Sequence, residues 1–255
     1  MGKNLIIVPA RSGSKGLKNK NLRSFNGQPL IYWSIEAAHY IAGLLVDSEI
    51  IFTSDSKKYI DLVKQFASAN LIKIQFHMRT TRTSSDTASM ADVVKEVVQE
   101  YIKDDNCENS FVILLQPTSP IRSKDDLAKA VRTLQAKKES TAIVVKAKYA
   151  LDDLYVLHNN QAKPIRVVEH LGFETATRRQ DQKAEVLNLD GSFYGICLKK
   201  LSTMNQISRS LKSPKNIIVS NLYDNIDIDD ARDLRDGRNL HKDYIYKYGD
   251  DIIGL

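Results

Sequence analysis

Residues 111–116, FVILLQ, begin with five consecutive apolar residues, so no polar side chain alternates with the hydrophobic ones. A strand that is apolar on both faces is typical of a sheet covered by helices on both sides. The segment SKDDLAKAVRTLQAKK (123–138) predicts such a helix, because a serine cap precedes two aspartates in the first turn. We therefore interpret this part of the chain as one strand and one helix of an α/β sheet.

The same alternation of strands and helices extends in both directions from this run. In the segment 86–102, apolar residues recur at three- and four-residue spacing, which predicts one buried helical face. Further strands are predicted at 4–10, 48–54, 72–76, 191–198 and 216–220, and further helices at 29–41, 57–69 and after 226–234. This order predicts an α/β, doubly wound, mostly parallel sheet, whose ligands bind beyond the carboxyl ends of the strands.

The alternation stops between about 148 and 190. The segment LYVLHNNQAKPIRVVE (154–169) resembles two short strands joined by a polar turn at Asn159 and Asn160. We interpret the excursion at 148–190 as a lid and dimerisation arm, and a surface insertion without a role is the alternative. Because no linker or internal repeat divides the sequence, we expect a single domain over 1–255 that contains this excursion.

The composition is that of an ordinary globular enzyme. The 255 residues are 42% hydrophobic and 27% charged. No apolar run approaches the roughly 20 residues that span a bilayer, and the apolar core of the first segment, MGKNLIIVPAR, is too short for a secretory signal peptide. We therefore expect a cytoplasmic protein without a membrane partner. The net charge of +6 indicates acidic partners. A phosphorylated or carboxylated small molecule fits this modest excess better than nucleic acid does.

The loop RSGSKGLKNK (11–20) combines two glycines with four cationic side chains. Gly13 and Gly16 let the backbone approach a ligand closely, and the cations would attract phosphate. The glycine spacing matches neither the P-loop nor the dinucleotide fingerprint. A phosphate-binding loop and a solvated basic turn are therefore both open.

The late segment NIDIDDARDL (225–234) contains a pair of carboxylates. On an extended backbone, Asp227 and Asp229 project to one side while Ile226 and Ile228 turn toward the core. Two adjacent carboxylates repel each other unless a cation lies between them, and Mg²⁺ suits one or two carboxylates together with phosphates. Asp230 fits the cap of the following helix, and a capped helix start with no further role is the alternative.

Together, the cationic loop and the aspartate pair indicate triphosphate chemistry. Cations neutralise the phosphates, and a metal ion stabilises the leaving pyrophosphate. Little covalent work then remains for the protein, so a serine or cysteine nucleophile is not needed. The five histidines also show no spacing typical of a catalytic triad or a zinc site.

Five motifs in order resemble those of the acylneuraminate cytidylyltransferases, also called CMP-sialic acid synthetases. They are VPARSGSKGLKNKNL, TRTSSDTAS, LLQPTSPIR, TRRQ and IDIDDARDL, and they extend from Val8 to Leu234. The wider family includes enzymes that activate legionaminate, pseudaminate and Kdo with CTP. The resemblance implies a Rossmann-like fold, a homodimer, and transfer of CMP from CTP to the anomeric hydroxyl of a nonulosonic acid with Mg²⁺ present.

The resemblance also implies roles for individual residues. Arg11, Lys15, Lys20 and Asp229 become the catalytic candidates, and Asp227 and Asp229 the metal ligands. Gln116 is similar to the glutamine that contacts the sugar, and a polar residue closing a strand is its alternative. Either Arg178 or Arg179 would hold the sugar carboxylate. The residues implied to bind the nucleotide are Ala10, Arg11, Ser14, Lys15, Asn21, Arg79 and Ser85, with Asp86 nearby.

One segment departs from the family pattern. Many members have Arg-Pro-Asn-Gly where this chain has Asn188, Leu189, Asp190 and Gly191, so a cation is lost and an acid gained beside the expected sugar pocket. The identity of the sugar acid is therefore open among N-acetylneuraminate, legionaminate and related nonulosonates. The competing interpretations are activation of another 2-keto sugar acid such as Kdo and a non-catalytic nucleotide-binding regulator.

Overall fold

The computed structural model describes residues 3–14, 16–85, 87–102, 110–147, 155–158, 161–164, 187–198, 204–222 and 226–253. Strands and helices are numbered here in chain order. The strands are β1 (Asn4–Ala10), β2 (Ser24–Phe25), β3 (Gln28–Pro29), β4 (Ser48–Ser54), β5 (Ile74–Met78), β6 (Phe111–Leu114), β7 (Thr141–Lys146), β8 (Tyr155–His158), β9 (Gln161–Pro164), β10 (Leu187–Cys197) and β11 (Asn216–Val219). The α-helices are α1 (Leu30–Ala42), α2 (Lys57–Ala69), α3 (Thr81–Ser84), α4 (Met90–Tyr101), α5 (Lys124–Lys137), α6 (Met204–Lys212) and α7 (Ala231–Tyr248).

Seven strands form the central sheet in the order β11-β7-β10-β6-β1-β4-β5. The pairs of β1 with β4 and β6, of β4 with β5, and of β7 with β11 are parallel, whereas β10 runs antiparallel between β6 and β7. The predicted mostly parallel, doubly wound α/β sheet is confirmed. The carboxyl ends of β1, β4, β5 and β6 consequently meet at one edge.

Alternate residues of β1 face opposite layers of helices. Ile6 and Val8 pack into a core with α1, α2 and α5, and Leu5 and Ile7 pack into a second core with α4 and α6. All four side chains are fully buried. Because burial of one such side chain contributes roughly 1.5–3 kcal/mol, helix packing on both faces fixes the register of the strand and thus the position of the loop that follows it.

A third apolar cluster forms where α7 packs against the β2–β3 hairpin and α1. Trp33 and Phe25 contact each other edge to face, and the His241 ring lies 4.6 Å from the Trp33 ring, measured between centroids. The His241 Nδ1 atom lies 2.9 Å from the amide nitrogen of Asn26. This cluster fixes α7 and therefore the aspartate segment that precedes it.

Acid should destabilise the protein through His241. Burial lowers the pKa of His241 to about 4, whereas an unfolded chain binds the proton with a pKa near 6.5. The unfolded state therefore binds more protons as the pH falls from 6.5 to 4, and the free energy of unfolding should drop by about 3 kcal/mol from this group alone. Denaturant unfolding of the wild type and of His241→Gln across this range measures the difference.

The control for this experiment is His39→Gln, which changes an exposed histidine of α1. The acid-side loss of unfolding free energy should shrink in His241→Gln and persist in His39→Gln. If the free energy of unfolding depends on pH in the same way in the wild type and in His241→Gln, the acid-side loss does not come from His241.

Most predicted elements are confirmed, and several bounds are corrected. β1, β4 and α2 have the predicted bounds, and Ser123 caps α5 through its side chain. β5 lies two residues later than predicted, and β6 ends at Leu114 instead of Gln116. β10 begins at Leu187, inside the predicted excursion, because a shift of register between Leu189 and Tyr194 conceals its alternation.

Within the excursion, the two predicted short strands are confirmed as β8 and β9, which pair antiparallel. Its interpretation as a lid and dimerisation arm stays a prediction, as does the single domain over 1–255. No helix in the described part of the chain combines the length and the apolar character needed to cross a membrane.

Candidate active site

Four polar residues lie one or two positions beyond the carboxyl ends of four neighbouring parallel strands. Arg11 follows β1, Asp55 follows β4, Arg79 follows β5, and Gln116 lies two residues beyond β6. This edge borders a pocket of about 480 Å³. The predicted site residues that line the pocket are Arg11, Ser14, Lys20, Asn21, Arg79, Ser85, Gln116 and Asp229.

The glycine loop is fastened to the sheet at its beginning. The backbone N–H of Ser12 donates to Asp55 Oδ1 at 2.8 Å, and its hydroxyl donates to Oδ2 at 3.1 Å. The amide of the buried Asn21 donates to the carbonyl of Arg11 at 3.0 Å. Asp55 and Asn21 therefore hold the beginning of the loop from both sides. Asp55 was not predicted as a site residue, although it follows a strand at the carboxyl edge.

The loop and the aspartate segment are in direct contact. A Cβ atom on Gly16 would lie 2.5 Å from the backbone oxygen of Asp229, closer than real Cβ contacts allow, so only glycine fits there. Nearby, Lys20 Nζ donates to Asp229 Oδ1 at 2.8 Å. Two motifs separated by about 200 residues in the chain thus meet at one pocket.

The aspartate segment has the predicted alternation of exposure. Ile228 is buried between the exposed Asp227 and Asp229, and its N–H donates to the carbonyl of Thr118 at 2.8 Å. Asp230 is confirmed as the cap of α7, since its carboxylate accepts from the N–H groups of Arg232 and Asp233. Asp227 is not among the described residues that line the pocket.

The donor set is compatible with Mg²⁺. Among the described residues, no cluster of three or more His, Cys, Asp or Glu side chains could hold a metal ion alone. Mg²⁺ usually binds one or two carboxylates and completes its shell with water and substrate phosphates. Exposed Asp227 and Asp229 match this pattern.

Arg79 supplies a cation that is almost completely enclosed. Its Nη2 atom donates to the carbonyl of Thr53 at 3.3 Å, and its backbone N–H donates to the carbonyl of Ser54 at 3.0 Å. Burial lowers its pKa to about 10, and Asp55 opposes that effect, so the guanidinium is charged at neutral pH. The pocket lining contains three cations, Arg11, Lys20 and Arg79, against one described carboxylate, and it therefore suits an anionic ligand.

A buried carboxylate fixes the wall that carries Thr83 and Ser85. Glu96 accepts from the Thr80 N–H at 3.0 Å, from the Thr80 hydroxyl at 2.6 Å and from the Thr83 hydroxyl at 2.9 Å. Burial raises the pKa of Glu96, but these hydrogen bonds outweigh burial and leave the pKa below its usual value. Thr83 and Glu96 were not predicted as site residues, because their spacing in the sequence gives no signal.

Gln116 lies next to the turn that carries Gly191. Its backbone N–H donates to the carbonyl of Gly191 at 3.3 Å. Gly191 has a φ of +74°, and a Cβ atom there would lie 2.5 Å from Ser119 Oγ and 3.0 Å from Gln116 Oε1. The segment that departs from the family pattern is therefore in contact with Gln116.

The model of the family described as cytidylyltransferase matches residues 5–222, which is most of the chain. The chain belongs to this cytidylyltransferase family. It is 29% identical over 179 residues to N-acylneuraminate cytidylyltransferase of Streptococcus agalactiae serotype V, and the match covers 70% of this chain and 40% of that protein. It is 27% identical over 244 residues to pseudaminic acid cytidylyltransferase of Campylobacter jejuni, covering 94% of this chain and 97% of that protein.

The matched region spans only 28–40% of the length of several N-acylneuraminate cytidylyltransferases. Among solved structures, the chain resembles CMP:2-keto-3-deoxy-manno-octonic acid synthetase complexed with CTP. The TM-score is 0.60 at 18% identity, with 95% of this chain and 99% of that chain covered. At this identity the likeness establishes the Rossmann-like fold and nothing finer.

In this member of the family, the structure brings most of the predicted site residues to one edge. Ala10 is the buried last residue of β1 and precedes the loop. Lys15, Asp86, Arg178 and Arg179 lie outside the described residues. A larger, open groove of about 1560 Å³ lies at the opposite edge of the sheet, between residues such as Lys3, Glu36 and Gln75. It contains none of the predicted site residues.

Proposed function

We propose that the protein transfers CMP from CTP to the anomeric hydroxyl of a nonulosonic acid and releases pyrophosphate. The observation that carries the proposal is the contact of the cationic loop with the aspartate segment at one pocket, through Gly16, Lys20 and Asp229. Family membership and relatives named for N-acylneuraminate and pseudaminic acid support the reaction and the substrate class.

In this proposal the loop binds the triphosphate. Arg11, Lys15 and Lys20 neutralise the phosphates, and the loop backbone around Ser14 approaches them closely. The anomeric hydroxyl oxygen attacks the α-phosphorus, and the bond between this phosphorus and the α–β bridging oxygen breaks, so that the bridging oxygen leaves with pyrophosphate. The hydroxyl proton passes to solvent water. Because the phosphates carry the developing charge, positioning and charge neutralisation account for most of the catalysis.

Mg²⁺ is proposed to bind at Asp227 and Asp229. When bound, it would neutralise phosphate charge and stabilise the departing pyrophosphate. Lys20, which pairs with Asp229, keeps a cation beside this carboxylate in the protein alone.

The remaining roles divide between the nucleotide and the sugar. Arg79 and Ser85 are proposed to contact the cytidine side, since both line the pocket with the loop. Gln116 is proposed to contact the sugar through its amide, which donates and accepts hydrogen bonds. Arg178 or Arg179 would hold the sugar carboxylate bidentately.

The assembly and the location are part of the proposal as well. We propose a cytoplasmic homodimer that acts on small molecules and binds neither nucleic acid nor membrane. The modest positive charge and the cationic pocket support a small anionic substrate.

Kdo is the alternative sugar, and the likeness to a Kdo-activating enzyme gives it some support. That likeness rests on 18% identity, whereas the relative named for pseudaminic acid, a nonulosonic acid, is 27% identical over nearly the full length of both chains. The nonulosonic acids are therefore favoured. A non-catalytic regulator is less favoured, because nucleotide binding alone gives no reason for an exposed aspartate pair.

Pyrophosphate release tests the proposal directly. The protein is incubated with CTP, Mg²⁺ and a panel of 2-keto sugar acids that includes N-acetylneuraminate, legionaminate, pseudaminate and Kdo. We expect release with at least one nonulosonic acid and less with Kdo. If no sugar acid of the panel gives pyrophosphate release, the proposed function is overturned. If only Kdo gives pyrophosphate release, the proposed substrate class is replaced by Kdo.

Gln116→Ala should alter sugar selectivity more than CTP affinity. The substitution removes an amide beside Gly191 but leaves the cationic loop untouched. We expect KM for the best sugar acid to rise by about tenfold or more, because a lost hydrogen bond to a buried polar partner costs about 1–3 kcal/mol. Steady-state kinetics with each substrate varied in turn measures both KM values. An equal rise in the KM for CTP would contradict the assigned place of Gln116.

A further inference from the structure

A guanidinium is completely buried below Gln116. Arg122 Nη2 donates to the carbonyl of Gln116 at 2.8 Å, and Arg122 Nε donates to the carbonyl of Ser192 at 2.9 Å. Burial lowers the pKa of Arg122 to about 10, and Asp190 opposes this effect. Burying a charge is costly unless its partners are precisely placed, so the contacts of Arg122 constrain the positions of Gln116 and Ser192.

Asp190 is the counter-charge, and Ser192 connects the two ions. The buried Asp190 carboxylate accepts from the Ser192 N–H at 2.8 Å and from the Ser192 hydroxyl at 2.6 Å. Burial raises the pKa of Asp190 to about 6, and the bonds from Ser192 and the charge of Arg122 oppose the rise. Asp190, the acidic residue by which this segment differs from the family pattern, is therefore buried beneath the site. It is not among the described residues that line the pocket.

The backbone of β10 is irregular at this point. Its register against β7 shifts between Leu189 and Tyr194, which is where Asp190, Gly191 and Ser192 lie. Bulges of this kind redirect side chains beside active sites. The backbone N–H of Gln116 bonds to Gly191, and its carbonyl accepts its shortest bond from Arg122, with longer ones from the Ser119 N–H at 3.2 Å and the Ser34 hydroxyl at 3.4 Å. The buried unit therefore contacts both polar groups of the Gln116 backbone.

We propose that Arg122, Ser192 and Asp190 form a positioning unit that sets the place of the Gln116 amide, so that Asp190 determines sugar affinity and selectivity without touching the sugar. The inference rests on the proposed function, in which Gln116 contacts the sugar acid. The three residues are positioning residues, since they act only through Gln116 and the turn at Gly191.

Asp190→Asn is the informative variant. Asparagine has nearly the same shape, and its amide oxygen can still accept the two bonds that Ser192 makes to Oδ1. Its NH₂ group cannot accept the hydroxyl bond made to Oδ2, and the negative charge that offsets the buried Arg122 is lost. The Gln116 carbonyl should then shift with Arg122. We expect KM for the best sugar acid to rise by about tenfold while KM for CTP stays within about twofold, because outer hydrogen bonds orient the groups that contact the ligand.

Asp126→Asn is the matched control. Asp126 is a second buried carboxylate in the same region, close enough to raise the pKa of Asp190, and the Ser220 hydroxyl donates to it at 2.5 Å. It has no described hydrogen bond to Gln116, Gly191 or Ser192. We expect this variant to lose thermal stability, as Asp190→Asn does, but to keep both KM values of the wild type.

The experiment combines pyrophosphate kinetics on the sugar panel with thermal unfolding of the three proteins. A rise in the sugar KM alone, seen in Asp190→Asn and absent from Asp126→Asn, supports the inference. Unchanged KM values in Asp190→Asn, or equal rises for CTP and sugar, overturn it even though the wild type is active. A wild type that is silent on every sugar acid overturns the proposed function and this inference with it.

Discussion

Replacing Asp229 with asparagine is expected to lower turnover by on the order of a hundredfold or more. The neutral amide binds Mg²⁺ poorly. It also removes the charge that pairs with Lys20 Nζ at 2.8 Å. Because the Asp229 side chain is 77% exposed, the fold should persist, with a change in unfolding free energy within about 0.5 kcal/mol.

Asp236→Asn is the control, since it neutralises an exposed carboxylate on α7 that forms an ion pair with the neighbouring Arg235. Pyrophosphate release, the Mg²⁺ dependence of CTP binding by calorimetry, and thermal unfolding are measured for both variants. Asp229→Asn should lose activity and the Mg²⁺ dependence of binding, whereas Asp236→Asn should resemble the wild type. Full activity in Asp229→Asn would mean that the metal binds elsewhere.

Gly16→Ala is expected to have an effect of similar size for a steric reason. The new methyl group would lie 2.5 Å from the backbone oxygen of Asp229, and a backbone atom cannot move aside without moving its segment. The loop and the aspartates would separate, and a displacement of about 1 Å can cost on the order of a hundredfold in rate. We therefore expect kcat/KM to fall by about that factor.

Gly13→Ala is the control, because it makes the same substitution in the same loop. No heavy atom of the described residues lies within 4 Å of the Cβ atom that would be added at Gly13. The kcat/KM of Gly13→Ala should fall much less than that of Gly16→Ala, because the added methyl group meets no atom of the described residues that would push the loop away from Asp229. Steady-state kinetics and thermal unfolding of the two variants separate a local clash from a general loss of stability. Equal activity of the two variants would show that the contact between Gly16 and Asp229 is not needed for function.

The sequence predicted the fold where local patterns reflect burial. The strands predicted at 4–10 and 48–54 are parallel and mostly buried, and the helix predicted at 57–69 has its predicted bounds. These predictions were possible because the strand and helix periods follow directly from which faces are buried. The β2–β3 hairpin was missed although Asn26 and Gly27, both with positive φ, form a recognisable turn.

Elements that depend on distant contacts could not be predicted. The four-residue helix α3 is held by Glu96, which is on a different helix, and nothing in its own sequence shows this. The register shift in β10 conceals its alternation, so its start at Leu187 was missed. Tertiary hydrogen bonds hold α3, and the shift in β10 is visible only in its pairing with β7.

The site residues likewise divide into those that the sequence predicted and those that only the folded structure reveals. The resemblance identified the loop, Arg79, Gln116 and the aspartates, but it could not show that Asp55 fastens the loop or that Asp190 is buried against Ser192 and Arg122. The contacts of Ser12 with Asp55 and of Arg122 with Ser192 join residues that are far apart in the chain, and only the folded sheet brings them together.

The central claim is that the cationic loop and the aspartate segment bind a single triphosphate at the carboxyl edge of the sheet. A crystal structure of the protein with CTP and Mg²⁺ tests it most directly. The account predicts the triphosphate between Lys20, the backbone at Gly16 and Asp229. Nucleotide bound in the larger groove beside Glu36, or a triphosphate that contacts only one of the two segments, would contradict it.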